Sequence, residues 1–211
     1  MKGLILKDLY AMGGFYRNTL FAMTIVCVCF GMSVGAAGIS AATAIMCATM
    51  IASTFALDER CGWQGFAASM PVTRRECVEA KYAVHMIYCG VGTLLGFVIS
   101  IIVNLFAEEK ALVSELGICA LLAFVLSMVF GFIVIPFMFR FGAEKARFIM
   151  MAVVALPTVA IYLLADRIEL EGIELTDMGI KLLYSAAVAA FLMMGLLSWA
   201  VSIKIYSKKE F

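Results

Sequence analysis

Apolar residues along the chain gather into blocks of about twenty, and the short stretches between them hold nearly all the charge. A block of that length, wound at 1.5 Å per residue, covers the ~30 Å of hydrocarbon in a bilayer. Six such blocks occur, at about 19–35, 39–57, 84–106, 112–138, 148–165 and 182–203. A membrane β-barrel would instead alternate apolar and polar residues over segments of ~10, and no such alternation is present. The pattern therefore predicts an all-α integral membrane protein with six transmembrane helices. No internal repeat, low-complexity linker or soluble segment divides it, so residues 1–211 are expected to form one membrane domain. The first block starts late and is followed at once by a second, which marks it as a retained span and not a cleaved leader.

Two shorter stretches carry a different periodicity. In MKGLILKDLY, Leu4, Ile5, Leu9 and Tyr10 are set against Lys2, Lys7 and Asp8. That pattern predicts an N-terminal amphipathic helix lying in the headgroup plane, with a partner-binding helix as the alternative. In DERCGWQGFAASMPVTRRECVEAKY, Trp63, Phe66, Ala67 and Met70 recur at i, i+3, i+4 and i+7. This spacing predicts a cytoplasmic helix from Glu59 to Met70, capped by Asp58 and stopped by the proline that follows Met70. Thr73 and Glu76 have capping-box spacing, with Val72 placed to staple onto Cys77. The third span is expected to start there and to run through Glu79, Lys81 and Tyr82 into the bilayer without a break. A lateral helix joined to a rigid protruding one would act as a lever. A headgroup anchor, with Trp63 at the interface and Arg74 and Arg75 on lipid phosphates, is the alternative that the residues alone leave open.

Charge turns this layout into a topology. The chain is 64% hydrophobic and 15% charged, with a mean hydropathy of +1.05, and its net charge of only +1 conceals a lopsided distribution. Lys2, Lys7, Arg17, Arg60, Arg74, Arg75, Lys81, Arg140, Lys145, Arg147, Lys204, Lys208 and Lys209 all fall on one side of the six-span arrangement. Glu108, Glu109, Glu115, Asp166, Glu169, Glu171, Glu174 and Asp177 fall on the other, with Lys110, Arg167 and Lys181. Positively charged short loops stay in the cytoplasm, so both termini and the Trp63 segment are expected inside. The asymmetry is a topological signal and implies no nucleic acid.

Chemical motifs narrow the function mainly by exclusion. The chain has no phosphate-cradling GxxxxGK[ST] loop. Intramembrane catalysis would need an HExxH motif, a Ser–His pair or paired acids at membrane depth. The one histidine, His85, has no second His or Glu at helical spacing, and Glu108-Glu109-Lys110 falls in an external turn. Secondary transporters place ionisable groups near the midplane, and these spans carry only neutral polar residues such as Thr43, Thr54, Thr93, Ser100, Asn104, Ser127 and Ser198. Most such hydroxyls are expected to bond back to their own helix. Cys27, Cys29, Cys47, Cys61, Cys77, Cys89 and Cys119 match neither metal nor disulfide spacing and are expected to pack as small hydrophobes. Gly31-xxx-Gly35 and Gly92-xxx-Gly96 permit close helix approach, and Pro157 would bend the fifth span.

The run Asp58, Glu59, Trp63, Phe66, Ser69, Pro71, Thr73, Arg74, Val78, Ala80, Lys81, Tyr82, placed after the second of six spans and preceded by an amphipathic start, resembles the permease subunits of type-2 (ABC-2) ABC exporters. In style it is similar to the exporters of phenol-soluble modulins and related amphipathic peptides. The resemblance implies a permease in the bacterial plasma membrane that moves an apolar or amphipathic substrate, with a peptide among the candidates. It implies a dimer with a second copy or a paralogue, and two separate ATPase subunits that bind ATP and magnesium, so that this chain itself needs no cofactor and is no enzyme. The helix between spans two and three would be the coupling helix, with Asp58, Glu59, Arg60, Trp63, Phe66, Met70 and Arg74 facing the ATPase. The acidic loop 166–179 is too short for the extracellular gate helices of larger relatives. The alternative from another class is a non-transporting assembly or sensor subunit.

Overall fold

The computed structural model describes residues 2–13, 25, 36–106, 111–165 and 177–208, with backbone alone at 37, 64, 68, 147, 154, 156–165 and 177–187. Its helices are α1 (2–13), α2 (Ala36–Arg60), α3 (Trp63–Ser69), α4 (Arg74–Phe106), α5 (Val113–Ala165) and α6 (Asp177–Ser207). No strand occurs among the described residues. Among the described residues, four stretches are long and apolar enough to cross a bilayer: Gly38–Arg60, Arg74–Phe106, Val113–Ala146 and Val188–Ser207. The expected first span apart from residue 25, the turn at Glu108-Glu109-Lys110, and residues 166–176 of the expected loop 166–179 lie outside the described residues, as does the side chain of Pro157; residues 177–179 already belong to α6.

The expected break between the fourth and fifth spans, over 138–148, shrinks to one residue. Helix runs on both sides of Gly142, whose φ of 80° and ψ of 171° fall in a region essentially closed to any residue with a Cβ. A loop was expected because Arg140, Lys145 and Arg147 cluster there, but a glycine turns the helix without one.

α2 and α4 meet along a seam of small residues. A Cβ added at Gly92 would lie 2.5 Å from Cys47 Cβ, and one at Gly96 would lie 2.9 Å from Ser40 Cα. The glycines of the second GxxxG spacing thus let the two backbones approach, the arrangement that favours helix association in lipid, where tails are as apolar as leucine and packing itself must hold the helices. Ile51, Phe55, Val84, Tyr88, Val134 and Met138 continue this core across α2, α4 and α5, with the Phe55 and Phe139 rings edge to face at 4.9 Å.

α5 and α6 are held differently. Pro136 has no N–H, so the carbonyl of Phe132, four residues earlier, loses its helical donor. Ser198 on α6 donates its hydroxyl to that carbonyl at 2.5 Å, and the Tyr82 hydroxyl on α4 lies 2.6 Å from Ser198 Oγ and 2.9 Å from Ser202 Oγ. A carbonyl freed within the bilayer needs such a partner. Elsewhere the hydroxyls behave as expected: Thr43, Thr49, Thr54, Thr93 and Ser127 each donate to a carbonyl three or four residues back. Ser100 is an exception, reaching the Ala36 carbonyl across the seam, and Asn104 makes paired 3.0 Å bonds with the backbone of Ala111.

His85 is a packing residue in this framework. It is 1% exposed, its Nε2 lies 3.2 Å from the Ser127 carbonyl, and it fills the space left by the missing side chain of Gly131.

Candidate functional site

At the ends of α1, α2 and α4 four charged side chains close into a ring. Lys7 Nζ lies 2.9 Å from Asp8 and 2.5 Å from Asp58, and Lys81 Nζ lies 2.8 Å from Asp8 and 2.6 Å from Asp58. Asp8 is 3% exposed, Lys81 7% and Asp58 9%. Each carboxylate meets two ammonium groups and each ammonium two carboxylates, so the cluster is neutral overall. That balance is what makes burial tolerable, because an unpaired charge there would face a desolvation penalty of several kcal/mol. The space remaining within it is 20 Å³, room for about one water, so the ring is a tie between helices and not a ligand pocket.

The ring corrects two expectations. Asp58 does not cap a new helix: α2 continues past it to Arg60, and its carboxylate is held by the two lysines. The turn that separates α2 from α3 is made by Gly62, at φ 64°, a conformation that glycine adopts without steric cost. Asp8 does not sit on a polar outer face of α1. It points inward with Met12, while Leu6 and Tyr10 are 53% and 78% exposed. Two cations at salt-bridge distance draw the acid in, and its neighbours turn with it.

The lateral helix also differs from its expected extent, Glu59 to Met70. Its observed span is Trp63–Ser69, with Met70 extended at φ −90° and ψ 155°, as a residue before proline prefers. Its apolar stripe divides between two environments. Ala67 is buried, and Lys7 Nζ stands 4.0 Å over the Trp63 ring, so Trp63 closes the ionic ring from outside. Such a cation–π contact contributes ~0.5–2 kcal/mol. Phe66, its ring 5.6 Å from that of Trp63, is 55% exposed.

The remaining candidates are distributed around this centre. Glu59 Oε2 accepts the Ala143 N–H at 2.9 Å and so caps the limb of α5 that starts after Gly142. Arg60 is exposed, and it lines with Glu59 and Glu144 a cleft of 320 Å³. Arg74 Nη1 donates to the Tyr206 and Ser207 carbonyls, 3.2 and 2.5 Å away, and ties α4 to the last turn of α6. Thr73 and Glu76 form the expected capping box, with Thr73 N–H to Glu76 Oε2 at 2.9 Å and Glu76 N–H to Thr73 Oγ1 at 3.3 Å. α4 then runs unbroken for 33 residues, as expected.

The seven candidate residues therefore separate into inner and outer roles. Asp58, Glu59, Trp63 and Arg74 bind other parts of this chain, whereas Arg60 and Phe66 face outward and Met70 is half-buried. The sequence reading missed Lys7, Asp8 and Lys81 as partners of Asp58. Their signal was present: all four charges flank apolar blocks on the side assigned to the cytoplasm.

A family model described as ABC-2 family transporter protein matches residues 3–207 of the chain. No curated protein and no solved structure matches.

Proposed function

Because the chain belongs to the ABC-2 family of transporter proteins, we propose that it is the permease subunit of an ATP-driven ABC exporter, carrying an apolar or amphipathic substrate, such as a peptide, out of the cell. Family membership implies an integral protein of the plasma membrane that works with ABC ATPase subunits. Two of these dock on a dimer of permeases, identical or paralogous, and bind the ATP and magnesium. Both termini and α3 face the cytoplasm.

The observation that carries the mechanism is the divided face of α3. Phe66 is presented outward as an anchor for a cleft in the ATPase, and Arg60 stands at its rim. Trp63, on the same helix, is seated on Lys7 of the ionic ring that joins α1, α2 and α4. A push on α3 thus reaches three helices through short, paired contacts, and a flexible loop would dissipate it. The contact must differ between inward- and outward-facing states for ATP to drive the change.

Phe66→Ala is expected to weaken capture of the ATPase by roughly 30-fold, the ~2 kcal/mol typical of a truncated aromatic anchor, and Arg60→Ala much less. Co-purification of tagged permease with its ATPase measures both. A folded Phe66→Ala permease that retains the ATPase at wild-type level and supports substrate-stimulated hydrolysis would overturn the docking assignment. The substrate class follows from spans without fixed charge near the midplane. ATP-dependent export of a small hydrophilic solute, with amphipathic peptides left inside, would exclude it.

A further inference from the structure

The face where α5 meets α6 carries a groove of 630 Å³ that no described side chain fills. Its walls are apolar: Phe132, Pro136 and Phe137 on α5, and Met193, Leu197 and Val201 on α6. The polar groups at its floor are spoken for, since Ser198 is bonded to the Phe132 carbonyl and to Tyr82. Leu197 and Met193 are more than 60% exposed, so the groove opens sideways. One end is charged. Arg140 lines it, and the stripe formed by Met194, Leu197 and Val201 continues at helical spacing to Lys204 and Lys208, both exposed. Among the described residues no carboxylate lies within salt-bridge distance of Arg140, Lys204 or Lys208. This is the same end of the bundle as the ionic ring, because Arg74 of α4 binds the last turn of α6 beside it.

We propose that this groove is a binding site for an anionic phospholipid of the leaflet on the Arg140 side. The dimensions fit one leaflet. From Ala190 to Ile205 the α6 wall rises ~22 Å at 1.5 Å per residue, and half of a bilayer with its headgroup layer is ~20–22 Å. An acyl chain lies along the apolar walls while the phosphate meets the Arg140 guanidinium, which is shaped for two-point contact with phosphate oxygens. Lys204 and Lys208 favour a headgroup with net negative charge over a zwitterionic one, since each basic residue near the surface adds attraction. A phospholipid lodged there supplies the contacts that α5 and α6 do not make with each other, and the site is independent of how α3 couples to the ATPase.

Native mass spectrometry of the full chain released from detergent tests this, with phosphatidylglycerol and phosphatidylcholine as probes. Wild type should retain phosphatidylglycerol on the order of tenfold better than phosphatidylcholine, equivalent to about 1.4 kcal/mol, because the basic residues favour the lipid with net negative charge. Arg140→Gln with Lys204→Gln and Lys208→Gln should remove the preference and leave a chain that melts as wild type. Leu197→Trp, which fills the groove from an exposed position, should reduce retention of both lipids. Equal retention of the two lipids by wild type, or unchanged phosphatidylglycerol retention in both variants, overturns the proposal. If Leu197→Trp instead shifts the oligomeric mass and leaves lipid retention intact, a second copy covers the groove and the assignment is wrong. Displacement of the groove by an amphipathic peptide without any retained phospholipid would likewise replace the lipid with substrate.

Discussion

The seam between α2 and α4 and the seam between α5 and α6 solve the same problem in opposite ways. The first is built from glycine, alanine, serine and threonine, so backbones meet and little space remains. The second is built from large residues such as Phe132, Phe137, Met193 and Leu197, is joined by the Ser198 hydroxyl bond and the Phe132–Phe191 and Phe139–Tyr206 ring contacts, and leaves a groove of 630 Å³. Small residues make a rigid joint in lipid, because van der Waals contact is the main attraction available. Large residues at a joint leave gaps when the backbones stay apart. The ionic ring locks one end of the tight seam, and the loose seam ends in cations that no described carboxylate meets.

The largest expected effect separates the ring from everything else. Lys81→Met leaves Asp8 and Asp58 buried with Lys7 alone, and the loss of one partner from a buried ionic group costs about 3–5 kcal/mol. Thermal unfolding of the purified protein should fall accordingly, and a melting curve like that of wild type would show that the ring adds nothing. Asp58→Asn, which weakens both lysine contacts without changing volume, should lower it by less.

The same substitution made in both seams tests the comparison directly. Gly96→Ala places its methyl against the Ser40 backbone and Thr43, where nothing can move aside, and should cost about 1–3 kcal/mol as overpacking. Gly195→Ala meets only the far edge of the Phe132 ring at 3.1 Å, beside open groove. There the gain in helix propensity, up to ~1 kcal/mol, should offset the contact and leave stability near wild type. Equal losses at the two sites would end the distinction between a tight and a loose seam.

A smaller effect is expected from Ser198→Ala. It removes the donor that replaces the one missing at Pro136, and interhelical hydrogen bonds in membranes are worth ~0.6–2 kcal/mol. If Pro136→Ala is made as well, the Phe132 carbonyl regains a donor in its own helix, and the loss from Ser198→Ala should shrink. A double-mutant cycle in which the two changes simply add would sever the link between the proline and the serine.

Much of this was legible in the sequence because apolar length and capping chemistry are local. The boundaries of α4 and the capping box at Thr73 and Glu76 follow from residues three apart, and the second GxxxG spacing marked the tight seam. The misread features depend on partners far along the chain. Asp58 has the chemistry of a cap, and nothing nearby in sequence shows that Lys7 and Lys81 will take its carboxylate instead. Asp8 was placed toward water because an isolated acid belongs there, but the paired acid belongs inside. Gly142 escaped notice since one residue with a rare dihedral leaves no trace in hydropathy. The division of Trp63 from Phe66 escaped for a related reason: periodicity assigns residues to a face, and α3 is short enough for its face to straddle an edge.

The ring also sets an order of events during synthesis. Lys7 and Asp8 leave the ribosome first, Asp58 follows, and Lys81 appears about seventy residues after Asp8. At 5–20 residues per second that interval is roughly 4–14 s. From the synthesis of Asp58 to that of Lys81, one lysine faces two carboxylates, and the incomplete ring carries a net negative charge that favours water over the protein interior. α1 therefore stays undocked while α2 inserts, and it is drawn into place when α4 delivers the missing cation, Lys81. α1 is made before α2 and α4 and is fastened after both.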